Sequence, residues 1–111
     1  MKQKMLFDEF DREIFSAGQE IFRCGDSGDC AYLVEEGAVE VLVDKEDGEH
    51  RIKLIGKNEL FGEIALIDYQ PRTATVRAVE RTTLVPIPRK LMEGLLEQSD
   101  PVLRHVLLVI L

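Results

Sequence analysis

The chain is poor in cysteine and histidine, has no surplus of positive charge and carries no long apolar run. Each shortage removes a class of function. Two cysteines, Cys24 and Cys30, cannot staple a disulfide scaffold, and a chain of 111 residues can bury a modest core without one. Both are expected as small, half-buried thiols of a reducing compartment, with a bridge between them as the alternative. Two histidines, His50 and His105, are too few for the several-histidine sites of metal-dependent jelly rolls. Both are read as surface or packing residues, and no metal is expected. No Gly-x-Ser-x-Gly elbow occurs, and Ser16, Ser27 and Ser99 fall in turn or cap contexts. The chain is therefore not expected to be an enzyme. Fourteen Lys and Arg against twenty-one Asp and Glu leave a net charge of −7. That balance opposes a direct nucleic-acid partner or an anionic membrane surface, because both require a basic face. The longest apolar run, residues 106–111, falls far short of the roughly 20 residues that span a bilayer. The first residues, MKQKMLFDEFDRE, are polar and acidic where a secretory leader would be apolar. The expected location is the cytoplasm, without membrane insertion.

What remains is a globular composition, 45% apolar and 32% charged, of a length that fits one domain. Turn signals punctuate the first ninety residues: Ala17-Gly18, the cluster Gly25-Asp26-Ser27-Gly28-Asp29, Gly37, Asp47-Gly48, Gly56-Lys57-Asn58 and Asp68 through Pro71. Short runs rich in β-branched and aromatic residues lie between them. They are EIF at 13–15 and again at 20–22, AYLVEE at 31–36, AVEVLVD at 38–44, HRIKLI at 50–55, then ATVRAV and TTLVPIP. Many short strands at this spacing predict an antiparallel sandwich, a jelly roll or a small barrel. Ile52 and Leu54 fall on one face of their strand. The pattern then changes. PRKLMEGLLEQ sets Leu91, Met92, Leu95 and Leu96 on one helical face, and Asp100-Pro101 reads as an N-cap followed by proline at the first helical position. A second helix over 101–111 would end in exposed apolar residues unless it packs on its own domain, on a second subunit or on further chain. The acidic cluster Glu35, Glu36, Glu40, Asp44, Glu46, Asp47 and Glu49 lacks the spacing of a calcium loop and predicts a solvated hairpin face.

One segment asks for more. FGEIALIDYQPRTATVRA, residues 61–78, joins a glycine-acid pair, a short apolar run and Pro-Arg-Thr. Phe61 ends a strand and Gly62 frees the backbone to turn. The following residues suit one helical turn, whose first N–H groups lack internal partners and favour an anion. Arg72, at the start of the next strand, can swing toward that turn and pair with phosphate oxygens. Thr73 adds a hydroxyl and an N–H. Glu63 would repel a phosphate, so it must serve another group, such as a sugar hydroxyl. A ribose fused to its phosphate, as in a 3′,5′-cyclic nucleotide, satisfies both residues.

On these residues, F-G-E-I-A-L followed by P-R-T-A-T-V, the segment resembles the phosphate-binding cassette of the cyclic nucleotide-binding domain family. IFRCGDSGDCAYLVEEGAVEV is similar to that family's upstream strands and turns. The resemblance implies a mainly β fold, a double-stranded β-helix or jelly-roll-like β-roll with flanking short α-helices. It also implies cAMP or cGMP as the ligand, with the base left open. By the same resemblance Gly62 approaches the ribose and Glu63 accepts from its 2′-hydroxyl. Ala65 lies near the phosphate, Arg72 pairs with the exocyclic oxygens, and Thr73 meets the phosphate and can reach the base. Ile64 and Ala74 complete the expected site. Gly25 and Gly37 are expected only to turn the chain. Residues 1–98 are expected as the ligand-binding β-roll with its first C-terminal helix, and 99–111 as the start of a lid or hinge helix. That helix would pass the signal to an output domain, a partner protein or a second copy in a homodimer. The alternatives are a Glu63–Arg72 ion pair with no ligand, a different small anion, or a ligand-free interaction module on the same fold.

Overall fold

The structure is a computed structural model and describes residues 11–62, 71–91 and 94. Eight strands occur among these residues: β1 (Glu13–Phe15), β2 (Glu20–Phe22), β3 (Cys30–Glu36), β4 (Val39–Lys45), β5 (Gly48–Ile55), β6 (Leu60–Phe61), β7 (Thr75–Ala78) and β8 (Thr82–Pro88). They form two four-stranded antiparallel sheets, ordered β1-β8-β3-β6 and β2-β7-β4-β5. Apart from the β4–β5 hairpin, successive strands alternate between the sheets. That alternation winds the chain into a roll rather than a meander, and the jelly-roll expectation is met.

The strand pattern follows from period-2 alternation. On β4, Val39 is fully buried and Glu40 lies on the outer face, where it accepts Nε of Arg51 at 3.0 Å. The core forms where the inner faces meet. Val34, Val39, Ile55, Phe61, Val76 and Leu84 make one buried cluster, backed by Phe15, Ile21, Phe22, Tyr32 and Val41. Ala31 and Ile87 make a second, with Leu33, Leu60 and Leu91 against it. Leu91 belongs to the helical residues 89–91, so the helix start packs on the end of the first sheet. The remainder of the expected helical face and the Asp100-Pro101 cap lie outside the described residues.

Gly37 turns β3 into β4 at φ 93°, and a Cβ there would lie 2.5 Å from the Arg81 carbonyl oxygen. Only glycine satisfies both the sign of φ and the space. Beside it the fully buried Thr82 hydroxyl accepts the Ala38 N–H at 3.2 Å and reaches the Glu80 carbonyl at 2.8 Å. The glycine turn and the β8 start are thereby locked together.

The acidic cluster is expected on one hairpin face, but the structure splits it: Glu35 and Glu36 end β3, whereas Glu40, Asp44, Glu46, Asp47 and Glu49 lie on the β4–β5 hairpin. Arg77 holds Glu49 through both guanidinium nitrogens at 2.8 and 3.1 Å, and Lys57 reaches Glu36 at 3.1 Å. His50 lies 2.6 Å from Asp47 on this exposed hairpin. Among the described residues no group of acidic, histidine or cysteine side chains could hold a metal. Ile52 is skipped in the ladder, where Val41 pairs Lys53 and Leu42 pairs Arg51, and both Ile52 and Leu54 stay exposed. One expectation needs correction: both cysteines are free thiols, but only Cys30 is half-buried, whereas Cys24 is exposed. Cys24 sits on the outer side of the β2–β3 turn, where its N–H bonds the Thr75 hydroxyl and its side chain meets no core.

Candidate functional site

The site is assembled from two turns and the end of β6. After Phe61 the backbone of Gly62 takes φ 82°. Arg72 precedes β7 by three residues and is not part of it. The expectation that Arg72 opens the strand is thus corrected, and the reason is local. Its N–H donates to the Asp26 carbonyl and its carbonyl accepts the Gly25 N–H, each at 2.8 Å. The backbone of Arg72 is bracketed by the β2–β3 turn instead of a ladder partner. That turn is itself closed: Asp26 N–H donates to the Arg23 carbonyl, and the Asp26 carboxylate accepts the Arg23 N–H, both at 3.0 Å.

The Arg72 side chain is 5% exposed. Nη1 donates to the Gly62 carbonyl and Nη2 to the Cys30 carbonyl, each at 2.5 Å. Nε is buried with no hydrogen-bond partner among the described residues. Cζ stands 4.0 Å from the centroid of the Phe22 ring. Phe22, Tyr32 and Phe61 form an aromatic group behind it, with centroids 6.1 Å apart for Phe22–Phe61 and 5.4 Å for the stacked Tyr32–Phe61. No carboxylate among the described residues lies within ion-pair distance of Arg72. A buried cation normally has a paired anion, because leaving one unpaired costs several kcal/mol, on the order of the Born penalty after relaxation. Among the described residues, two neutral carbonyls and an aromatic face partly offset that cost and bring no countercharge.

The walls of this corner are held neutral. Burial raises the Cys30 thiol above its ordinary value, a shift that its hydrogen bond to Tyr32 only partly opposes. Burial, then the Cys30 hydrogen bond, raises the Tyr32 hydroxyl. The cation at Arg72 therefore faces no nearby thiolate or phenolate at neutral pH. An anion with oxygens in one plane could meet the free Nε edge of the guanidinium.

Of the expected site residues, the structure brings Gly62 and Arg72 into contact. The positive φ favours glycine at position 62, and a Cβ there would lie 2.9 Å from Nη1 of Arg72, so the guanidinium would have to shift. Thr73 is exposed and Ala74 half-buried, immediately beyond the bracketed arginine. Glu63, Ile64 and Ala65 lie outside the described residues. Sequence reasoning missed the Cys30 carbonyl, the Phe22 ring and the Gly25-Asp26 bracket. The second EIF run flagged Phe22 as strand but carried no sign of a charge above it. A backbone carbonyl has no sequence signature at all.

An arginine buried at a glycine corner of a β-roll, with no carboxylate partner among the described residues, is the kind of site that suits an anionic ligand. The family follows from comparison: a family model described as cyclic nucleotide-binding domain matches residues 12–99, and the chain belongs to that family. It is 40% identical over 73 residues to a cAMP-dependent protein kinase type II regulatory subunit of Drosophila melanogaster, covering 66% of this chain and 19% of that protein. It is 36% identical over 103 residues to a cyclic AMP receptor protein of Thermus thermophilus, covering 92% and 47% respectively. Among solved structures, the EAL enzyme Bd1971 in a cAMP-bound form superposes with a TM-score of 0.80 at 35% identity, over 90% of this chain and 27% of that one. The chain thus spans less than half the length of these relatives, which include kinase regulatory subunits, a receptor and an enzyme. Among the described residues no helix is long and apolar enough to cross a membrane.

Proposed function

We propose that this chain is the sensing part of a regulatory protein and binds a 3′,5′-cyclic nucleotide, cAMP or cGMP, at the Gly62–Arg72 corner. The observation that carries this reading is Arg72 itself: 5% exposed, with an unpartnered Nε and no carboxylate beside it among the described residues. An exocyclic phosphate supplies the missing negative charge and an acceptor for Nε. Gly62 lets the sugar–phosphate ring approach the main chain. Glu63 accepts from the ribose 2′-hydroxyl, Ile64 and Ala65 line the phosphate turn, and Thr73 and Ala74 flank the phosphate and base. No catalytic step and no metal are assigned. The output is carried by residues 99–111, which act on a further domain, a partner protein or a second copy, and the protein works in the cytoplasm. For that coupling the nucleotide must bind one helix arrangement better than the other.

A thermal-shift panel with cAMP, cGMP, 5′-AMP and 5′-GMP tests the proposal. At one hundred times Kd a ligand stabilises the folded state by about 2.7 kcal/mol. The expected result is a shift with a cyclic compound and none with either monophosphate. Equal shifts with all four indicate a general anion site, and no shift with any indicates a ligand-free module; both contradict the proposal.

A further inference from the structure

The structure assigns Phe22 as a positioning residue for Arg72: its ring fixes the plane of the guanidinium proposed to receive the phosphate, and does so without bringing a countercharge. The inference rests on the cyclic nucleotide reading for its ligand, but not for its geometry. A guanidinium held by its two Nη groups alone can still rock about the line joining them. The carbonyls of Gly62 and Cys30 fix that line. The Phe22 ring, 4.0 Å from Cζ, closes off one face and leaves the Nε edge in a set direction. The shelf cannot easily retreat, because Tyr32 and Phe61 stand behind it at centroid distances of 6.3 and 6.1 Å. Register adds to this: Phe22 pairs with Val76 on β7, the strand that begins three residues after Arg72, so the shelf is fixed in the sheet next to the segment that carries the cation.

The choice of an aromatic has an electrostatic reason. A carboxylate at this position would hold Arg72 as well, but would neutralise it and compete with the phosphate. An aliphatic side chain would leave the desolvated charge without compensation. An aromatic face attracts the cation through its quadrupole and brings no net charge. The full positive charge therefore stays available to an incoming anion. Gly62 completes the arrangement, since a Cβ there would lie 2.9 Å from Nη1 of Arg72 and displace the guanidinium.

The test uses the whole chain with Phe22→Leu, which keeps an apolar side chain, and Phe22→Tyr, which keeps the ring. In the ligand-free wild type, the Arg72 Nε–H signal in ¹H–¹⁵N NMR is expected upfield from the ring current. Phe22→Leu should abolish that shift and Phe22→Tyr should retain it. Phe22→Leu should weaken cAMP or cGMP binding by about three- to thirty-fold, the range of a partly desolvated cation–π contact. Discrimination between the two phosphorothioate diastereomers of the cyclic nucleotide should shrink in the same variant. Phe22→Tyr should restore both. A merely structural role would lower the melting temperature without moving the Nε–H shift or the diastereomer ratio, and that outcome overturns the assignment. So does a Phe22→Leu variant that keeps wild-type affinity and ratio. If the wild type binds no cyclic nucleotide, the ligand reading fails, and the Nε–H shift alone decides whether Phe22 positions the guanidinium.

Discussion

Among the described residues, Arg72 is surrounded by atoms that accept hydrogen bonds or offer electron density but carry no charge: the carbonyls of Gly62 and Cys30 and the ring of Phe22. This environment distinguishes it from the paired arginines of the surface, such as Arg77 on Glu49 or Arg51 on Glu40. The surface pairs contribute about 0–1 kcal/mol each. At the same scale, glycine positions differ sharply in what they tolerate. Gly37→Ala drives a Cβ to 2.5 Å from the Arg81 carbonyl oxygen, on top of a φ of 93°. Gly18→Ala meets the φ penalty alone, since nothing lies within 4 Å. Urea unfolding should therefore show Gly18→Ala costing about 1 kcal/mol and Gly37→Ala at least about 2 kcal/mol more. Equal losses would mean that the β3–β4 turn yields more easily than its packing implies.

At the scale of elements, the sequence was read well where period and turn chemistry act locally. Both EIF strands match residue for residue, and β3, β4 and the glycine turn between them fall within a residue or two of their expected bounds. Alternation says which side of a strand is apolar, but not which strand lies beside it. The order β1-β8-β3-β6 and the skipped Ile52 were therefore not readable. Arg72 shows the same limit. Its residue type and neighbours raise the expectation of an anion site. Its place outside β7 depends on hydrogen bonds to a turn forty-six residues earlier, at Asp26. Gly25 was expected only to turn the chain, yet its N–H is half of that bracket. The Cys30–Tyr32 pair at the start of β3 also makes stability depend on alkaline pH. Both groups are raised above their ordinary values of 9.0 and 10.0, each chiefly by burial. Above these values the unfolded chain releases protons that the folded chain retains, so stability is complete below about pH 9 and falls as pH rises through that range. Denaturation midpoints measured from pH 7 to 10.5 should decline, and the decline should be shallower in Tyr32→Phe. An identical slope in that variant would place the titrating group elsewhere.

For the whole molecule, the dominant fact is a buried local cation inside a net charge of −7. The two act at different range. The overall field repels an anionic nucleotide at a distance and is screened by salt, with a Debye length of about 30 Å at 0.01 M and about 8 Å at 0.15 M. The proposed contact between Arg72, which is 5% exposed, and a phosphate would be much less screened. The association rate of a fluorescent cyclic nucleotide, followed by stopped flow, should therefore rise between these two ionic strengths, while dissociation changes little. A rate that falls with salt would mean that a positive surface, not this corner, receives the ligand.

Isothermal titration of the wild-type chain and of Arg72→Ala with cAMP and cGMP bears most directly on the guanidinium as phosphate receptor. A lost charge-assisted contact of about 1.5–3 kcal/mol corresponds to roughly a ten- to hundred-fold loss of affinity. The wild type should bind one of the two nucleotides saturably at one site per chain, and Arg72→Ala should bind it at least tenfold more weakly. Unchanged affinity in the variant, or no heat of binding in the wild type, would contradict the account.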